Sequence, residues 1–243
     1  MKRILFSLML ALLMATGIEA RTFVLAAGIS NYGGRANDLN QTSKDAKRFA
    51  DLMKSQTNDI TLLTSRNVTK NNLLEKLRAI SNRAQRGDRI IFFFSGHGSP
   101  GSIAGYDKSI PYDEIIDILS KSQASEKVCF IDACFAGSAQ DYMDTNWNKA
   151  AKATDGMAVF VACRPDEISF EDRHLGAGKF TQALLKGLRG QADADRNKKI
   201  TIMELFEYIH GDVMKHTVNT PNQQHPQLIA PKSMYDKVIF VWK

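Results

Sequence analysis

Six short runs of almost unbroken apolar residues most constrain what this chain can fold into. They are TFVLAAG (22–28), DITLLTS (59–65), DRIIFFFSG (88–96), KVCFIDA (127–133), GMAVFVA (156–162) and KVIFVW (237–242). A strand with one wet face alternates apolar and polar residues, whereas a run without alternation suits a strand covered on both faces. Helix-period stretches separate the runs, at roughly 41–55, 69–85, 111–122, 178–189 and 202–216. This order predicts an α/β fold with a mostly parallel sheet and helices on both faces.

The chain opens with Lys2 and Arg3, an apolar stretch from Ile4 to Met14 and a small-residue end, GIEA, before Arg21. That layout predicts a secretory signal peptide over 1–20, cut after Ala20, and hence export to a periplasm or the outside. The apolar stretch is shorter than the ~20 residues of a membrane span, so no membrane association is expected once it is removed. Removing 20 of 243 residues leaves 223, and the loss of Lys2, Arg3 and Glu19 takes the net charge from +6 to +5. One domain over 21–243 accounts for that length. The basic residues are scattered along helix-like stretches such as SKDAKRFADLMK, which reads as a solvated face and excludes a nucleic-acid footprint.

Cys129, Cys134 and Cys163 make an odd number, so at least one thiol is not paired within the chain. Cys129 and Cys163 sit in or at the end of apolar runs and read as small buried hydrophobes. Cys134 differs, lying just past its strand in DACFAGS. In open α/β sheets functional groups gather beyond the carboxyl ends of the strands. FFFSGHGS (92–99) places His97 in the same kind of turn, 37 residues before Cys134, about one strand–helix–strand unit. Neighbouring parallel strands would then bring a histidine and a thiol to one cleft, where the imidazole favours the thiolate. The backbone N–H groups of Gly98 and Cys134 would form an oxyanion hole.

FFFSGHGS followed by VCFIDACFAGS resembles the histidine and cysteine motifs of the caspase-like cysteine peptidases, in particular their bacterial and metacaspase branch. FVLAAGISNY with DLNQTSKDAKRFADLM is similar to the family's first strand and helix, and FVACRPDEISFED and GKFTQALLKGLRG resemble its later groove segment and helix. The resemblance implies a single caspase-like domain with six strands in one sheet, Cys134 as nucleophile, His97 as general base, a backbone carbonyl orienting the histidine, and a peptide or protein substrate. It also implies that 135–154 is the junction between large and small subunits in processed members. Lys149 and Lys152 are self-cleavage sites if the enzyme cuts after basic residues. Neither a metal nor an organic cofactor is required for thiol acyl transfer.

Two positions before the cysteine the chain has Asp132 where the caspases carry glutamine; in metacaspase-like members an aspartate there lines the primary pocket. A pocket for arginine or lysine needs carboxylates, because an unpartnered buried guanidinium costs several kcal/mol. Asp132, Asp38 and Asp166 are the candidates, and cleavage after arginine or lysine is the expected specificity. A pocket for aspartate would instead call on Arg35 and Arg164.

DADRNKKITIME places Asp193, Asp195, Asn197, Thr201 and Glu204 at positions 1, 3, 5, 9 and 12, the oxygen-ligand spacing of an EF-hand calcium loop. Position 6, where that loop takes glycine, is Lys198. Thr201 to Glu204 is also a capping box opening the next helix, so calcium and a plain helix cap stand as two readings. For the whole chain, the alternatives to a peptidase are a non-catalytic caspase-like scaffold that binds a peptide or protein, and a thiol acyltransferase.

Overall fold

The computed structural model describes residues 20–34, 37–133, 156–164, 171–172, 177–218, 220 and 223–242. In chain order the elements are β1 (Thr22–Gly28), α1 (Thr42–Met53), β2 (Ile60–Thr64), α2 (Lys70–Arg83), β3 (Arg89–Ser95), β4 (Gly98–Ser99), β5 (Ser102–Ala104), β6 (Ser109–Pro111), α3 (Tyr112–Ser120) and β7 (Glu126–Asp132). They continue with β8 (Met157–Val161), β9 (Glu171–Asp172), β10 (Ala177–Gly178), α4 (Lys179–Lys186), β11 (Lys199–Thr201), α5 (Ile202–Thr217), β12 (Gln227–Ile229) and β13 (Val238–Val241). Six strands form one sheet in the order β12-β8-β7-β3-β1-β2. All its pairings are parallel except β12 with β8.

The unbroken apolar runs follow from burial on both sides. Phe92 and Phe94 point into a layer with Leu73, Leu74 and Leu77 of α2 and Ile115 of α3. Phe93 faces the opposite layer, with Phe49 of α1, Phe180 of α4 and Leu205 of α5. Phe49 stacks on Phe93 with centroids 4.6 Å apart, and Phe130 packs on Phe160 at 4.8 Å. Each such side chain contributes about 1.5–3 kcal/mol on leaving water.

The structure corrects one expectation: the sixth strand of the sheet is β12, not the run at 237–242. β13 instead pairs antiparallel with β11, with Ile200 opposite Phe240. All three β12 residues are only half-buried, as suits a short edge strand, and so it lacks the apolar run that marks the others. A small antiparallel sheet, β4-β5-β6, follows His97 directly in a stretch without strand-like patterning. The helix expected over 178–189 ends at Lys186 and continues as a π turn over Gly187–Gln191. Among the described residues no helix is long and apolar enough to cross a membrane.

Candidate active site

The site grows out of the adjacent carboxyl ends of β3 and β7. Their last registered pair is Ser95 opposite Asp132, and the Gly96 N–H carries the ladder on by donating to the Asp132 carbonyl at 3.1 Å. His97 and Cys134 each follow two residues beyond that pair. Cys134, the 135–154 segment with Lys149 and Lys152, Arg35 and Asp166 lie outside the described residues, as do residues 1–19.

His97 is half-buried and held at several atoms. Its N–H donates to the Tyr32 hydroxyl at 2.8 Å, and its carbonyl accepts from the Ala104 N–H at 2.9 Å. Its Nε2 lies 2.8 Å from the Asn37 carbonyl oxygen. A carbonyl only accepts, so Nε2 carries the proton in this arrangement, which leaves Nδ1 of the neutral ring with the lone pair a general base needs. Gly98, two residues into the turn from Gly96, opens β4 opposite Ile103.

Two carboxylates are buried at the same edge of the sheet. Asp132 Oδ2 accepts from the Thr181 N–H at 3.1 Å and from its hydroxyl at 2.6 Å. Thr181 is in the first turn of α4, so Asp132 caps that helix from a neighbouring strand, where the helix dipole favours negative charge. Asp45, fully buried in the first turn of α1, accepts the Gly178 N–H at 3.2 Å and meets Arg48 Nη1 at 3.4 Å. Asp38 is placed differently. It is half-buried in the first loop, and its Oδ1 accepts the Tyr32 N–H at 2.8 Å.

Reasoning from sequence passed over Asp45, although a signal was there. Thr42, Ala46, Phe49, Ala50 and Met53 form the buried stripe of α1, and Asp45 falls on that stripe rather than on the wet face. A carboxylate at a core-facing helical position needs a reason. The signal was masked because acidic residues are also ordinary in a helix's first turn.

Cys129 and Cys163 are both buried in the core. Burial pushes the Cys129 thiol up to about 12, so it holds its proton at neutral pH. Cys163 Sγ donates to the Ala133 carbonyl at 3.6 Å.

Asp193 and Asp195 of the loop after the π turn come together with Glu204 of the first turn of α5, with one carboxylate oxygen of each within 4.8 Å of the others. Asp193 and Asp195 both accept the Asn197 N–H, and Asp193 also takes that of Lys198. Lys198 has a φ of +65°, the left-handed conformation that glycine adopts most easily at this position. The capping box is present as well: Glu204 accepts from the Thr201 N–H and hydroxyl, and Thr201 accepts from the Glu204 N–H. Loop shape and helix cap therefore coexist, and the oxygen-rich donor set fits a hard cation.

Comparison with known proteins gives the family and the fold. Metacaspase-1 of Scheffersomyces stipitis is 30% identical over 120 residues, 45% of this chain and 30% of that protein. Metacaspase-1 of Plasmodium falciparum is 24% identical over 249 aligned positions, 85% of this chain and 40% of that protein. The chain thus spans well under half the length of these relatives. The crystal structure of caspase-1 from Spodoptera frugiperda superposes with a TM-score of 0.64 at 15% identity, covering 90% of this chain and 89% of that one, a likeness of fold. A family model for the caspase domain matches residues 21–235, and the chain therefore belongs to the caspase-domain family.

Proposed function

We propose that this protein is an exported cysteine endopeptidase that cuts peptide bonds after arginine or lysine, with Cys134 as nucleophile and His97 as base. The observation that carries the reading is the register of β3 against β7, which pairs Ser95 with Asp132; in sequence the histidine comes two residues after the first and the cysteine two after the second. Nδ1 of His97 takes the Cys134 thiol proton, and the thiolate sulfur bonds to the scissile carbonyl carbon. The N–H groups of Gly98 and Cys134 hold the resulting oxyanion. Collapse breaks the C–N bond, the departing amine takes the proton from Nδ1, and a water activated by the same nitrogen hydrolyses the thioester. The Asn37 carbonyl accepts the Nε2 proton throughout and keeps the ring oriented while Nδ1 takes and gives its proton.

Basic specificity rests on charge. Asp132 and Asp45 supply two buried carboxylates at the sheet edge where the reaction is placed, and a guanidinium or ammonium is the side chain such a pocket favours. Export rests on the layout of residues 1–20. Calcium binding to the 193–204 loop is part of the proposal, supported by ligand spacing and the gathered carboxylates; no step of the peptidase reaction runs through it.

The test is hydrolysis of fluorogenic peptides that differ only in the residue before the cut, arginine, lysine, aspartate or leucine, by the protein and by Cys134→Ala. Cleavage after the basic residues that vanishes in the variant supports the proposal. Cleavage after aspartate overturns the pocket assignment. No cleavage by a folded, reduced and proteolytically nicked sample favours the scaffold reading, and amide transfer to an added amine favours the acyltransferase.

A further inference from the structure

We propose that Tyr32 and Asp38 form a clamp that positions His97, with Tyr32 acting on the histidine directly and Asp38 acting through Tyr32 and Asn37. The inference rests on His97 being the base.

Three contacts define the clamp. The Tyr32 hydroxyl accepts the His97 N–H at 2.8 Å, which fixes the main chain from which the imidazole hangs. The Tyr32 ring lies against the imidazole, with centroids 4.8 Å apart and planes inclined by 43°, and so closes one side of the ring. The same hydroxyl occupies the space beside Gly96, where a Cβ would come within 2.6 Å of it. Gly96 is thus a close-approach glycine, hemmed in by the Tyr32 hydroxyl and the Phe94 ring.

The grip on the far ring nitrogen comes from the same loop. Asn37, whose carbonyl meets Nε2, is followed immediately by Asp38, and Asp38 Oδ1 turns back to accept the Tyr32 N–H at 2.8 Å. The Leu39 N–H donates to the Ser30 carbonyl across the base of the loop, and the Asn37 N–H to the Gly34 carbonyl within it. One carboxylate therefore sets the spacing between the residue that holds the histidine's backbone and the residue that holds its ring. A general base acts within hydrogen-bond reach of its proton, so displacement by a fraction of an ångström at this loop acts on turnover rather than on substrate binding.

This role separates Asp38 from a substrate carboxylate. A pocket residue acts by charge, whereas the clamp needs only an oxygen that accepts a hydrogen bond, which asparagine keeps.

The test compares Tyr32→Phe, Asp38→Asn, Asp38→Ala and His97→Ala by steady-state kinetics on an arginine peptide, by melting temperature and by nitrogen NMR of the His97 ring. Tyr32→Phe is expected to melt near wild type, to lose ten- to a hundred-fold in kcat with KM within two-fold, and to lower the share of the Nε2–H tautomer. Asp38→Ala should do the same, and Asp38→Asn should restore kcat to within about three-fold of wild type. A wild-type kcat in Tyr32→Phe, with His97→Ala inactive, overturns the clamp and keeps the base. An active His97→Ala overturns the underlying reading instead. A KM rise for the basic peptide in Asp38→Asn overturns the positioning role of Asp38 in favour of the pocket. Should Tyr32→Phe fail to fold, the contrast between Asp38→Asn and Asp38→Ala decides, and the NMR measurement decides even where no peptide is cut.

Discussion

The carboxylates of Asp45 and Asp132 both come up against one glycine, Gly178. Asp45 Oδ2 accepts the Gly178 N–H at 3.2 Å, and Asp132 Oδ2 lies 2.5 Å from where a Gly178 Cβ would stand. Two aspartates from helix α1 and strand β7, far apart in sequence, are thereby held in a fixed relation by the start of α4. The arrangement gives a direct prediction for specificity. Asp45→Asn and Asp132→Asn should each lower kcat/KM for an arginine peptide by roughly 30-fold or more, the equivalent of about 2 kcal/mol from one lost partner of a buried charge. A leucine peptide should be cut no less well than by wild type. An equal loss on both peptides would assign the aspartates to the fold rather than to the pocket.

Gly178→Ala tests the same geometry without touching a charge. The added methyl collides with a buried carboxylate that is fixed by two bonds from Thr181, so the carboxylate or the α4 turn must shift. Overpacking of this kind costs about 1–3 kcal/mol. The expected result is a lower melting temperature together with a loss of basic-peptide cleavage. Unchanged values of both would mean that the site relaxes freely.

Much of the fold was legible because its strands are buried on two faces. DRIIFFFSG announces a central strand since only a doubly covered strand tolerates three consecutive phenylalanines, and the helices show their stripes as plainly. Those runs also identify β3 and β7, which pair in parallel with Ser95 opposite Asp132. The errors have a common cause, a local signal with two physical meanings. KVIFVW is apolar because β13 packs Ile239 and Phe240 against the layer of α1, α4 and α5, not because it joins the main sheet. Asp38 stands out in the sequence as a pocket candidate, whereas Asp45 passes for an ordinary helix-start aspartate. Only three-dimensional packing separates the one that ties a loop from the one buried beside Gly178. Tyr32 carried no signal at all, since its role depends on a contact with a residue 65 positions away.

The loop at 193–204 should raise the melting temperature when calcium is titrated in, and Asp193→Asn with Asp195→Asn should abolish that rise. Calorimetric titration on the same variants measures binding directly, apart from any peptidase activity. Thr201→Ala should cost about 1 kcal/mol with or without the ion, because it removes the helix cap. An identical melting curve with calcium and with chelator would assign the carboxylates to helix capping and loop closure alone.

Acid should loosen this protein through Asp88. Its side chain is almost completely buried at the amino end of β3. Burial alone raises a carboxyl, but the N–H groups of Gln85 and Arg21 and the Arg21 guanidinium outweigh it and leave the Asp88 carboxyl below its usual value of 3.8. A carboxylate depressed in the folded state contributes stability above the unfolded value, and that contribution is lost as pH falls from about 4 through the folded value. Asp88→Asn should therefore melt lower at pH 7, by about 2–4 °C for each kcal/mol of the roughly 1–3 lost, and should show a shallower fall in melting temperature below pH 4. If the chain is cut after Ala20 as proposed, the Arg21 nitrogen that lies 2.9 Å from Asp88 Oδ1 becomes the terminal ammonium. Protein beginning at Arg21 should then be more stable than protein carrying residues ahead of it, and more so than the same pair in Asp88→Asn. Equal pH profiles for wild type and Asp88→Asn would remove Asp88 as the group responsible.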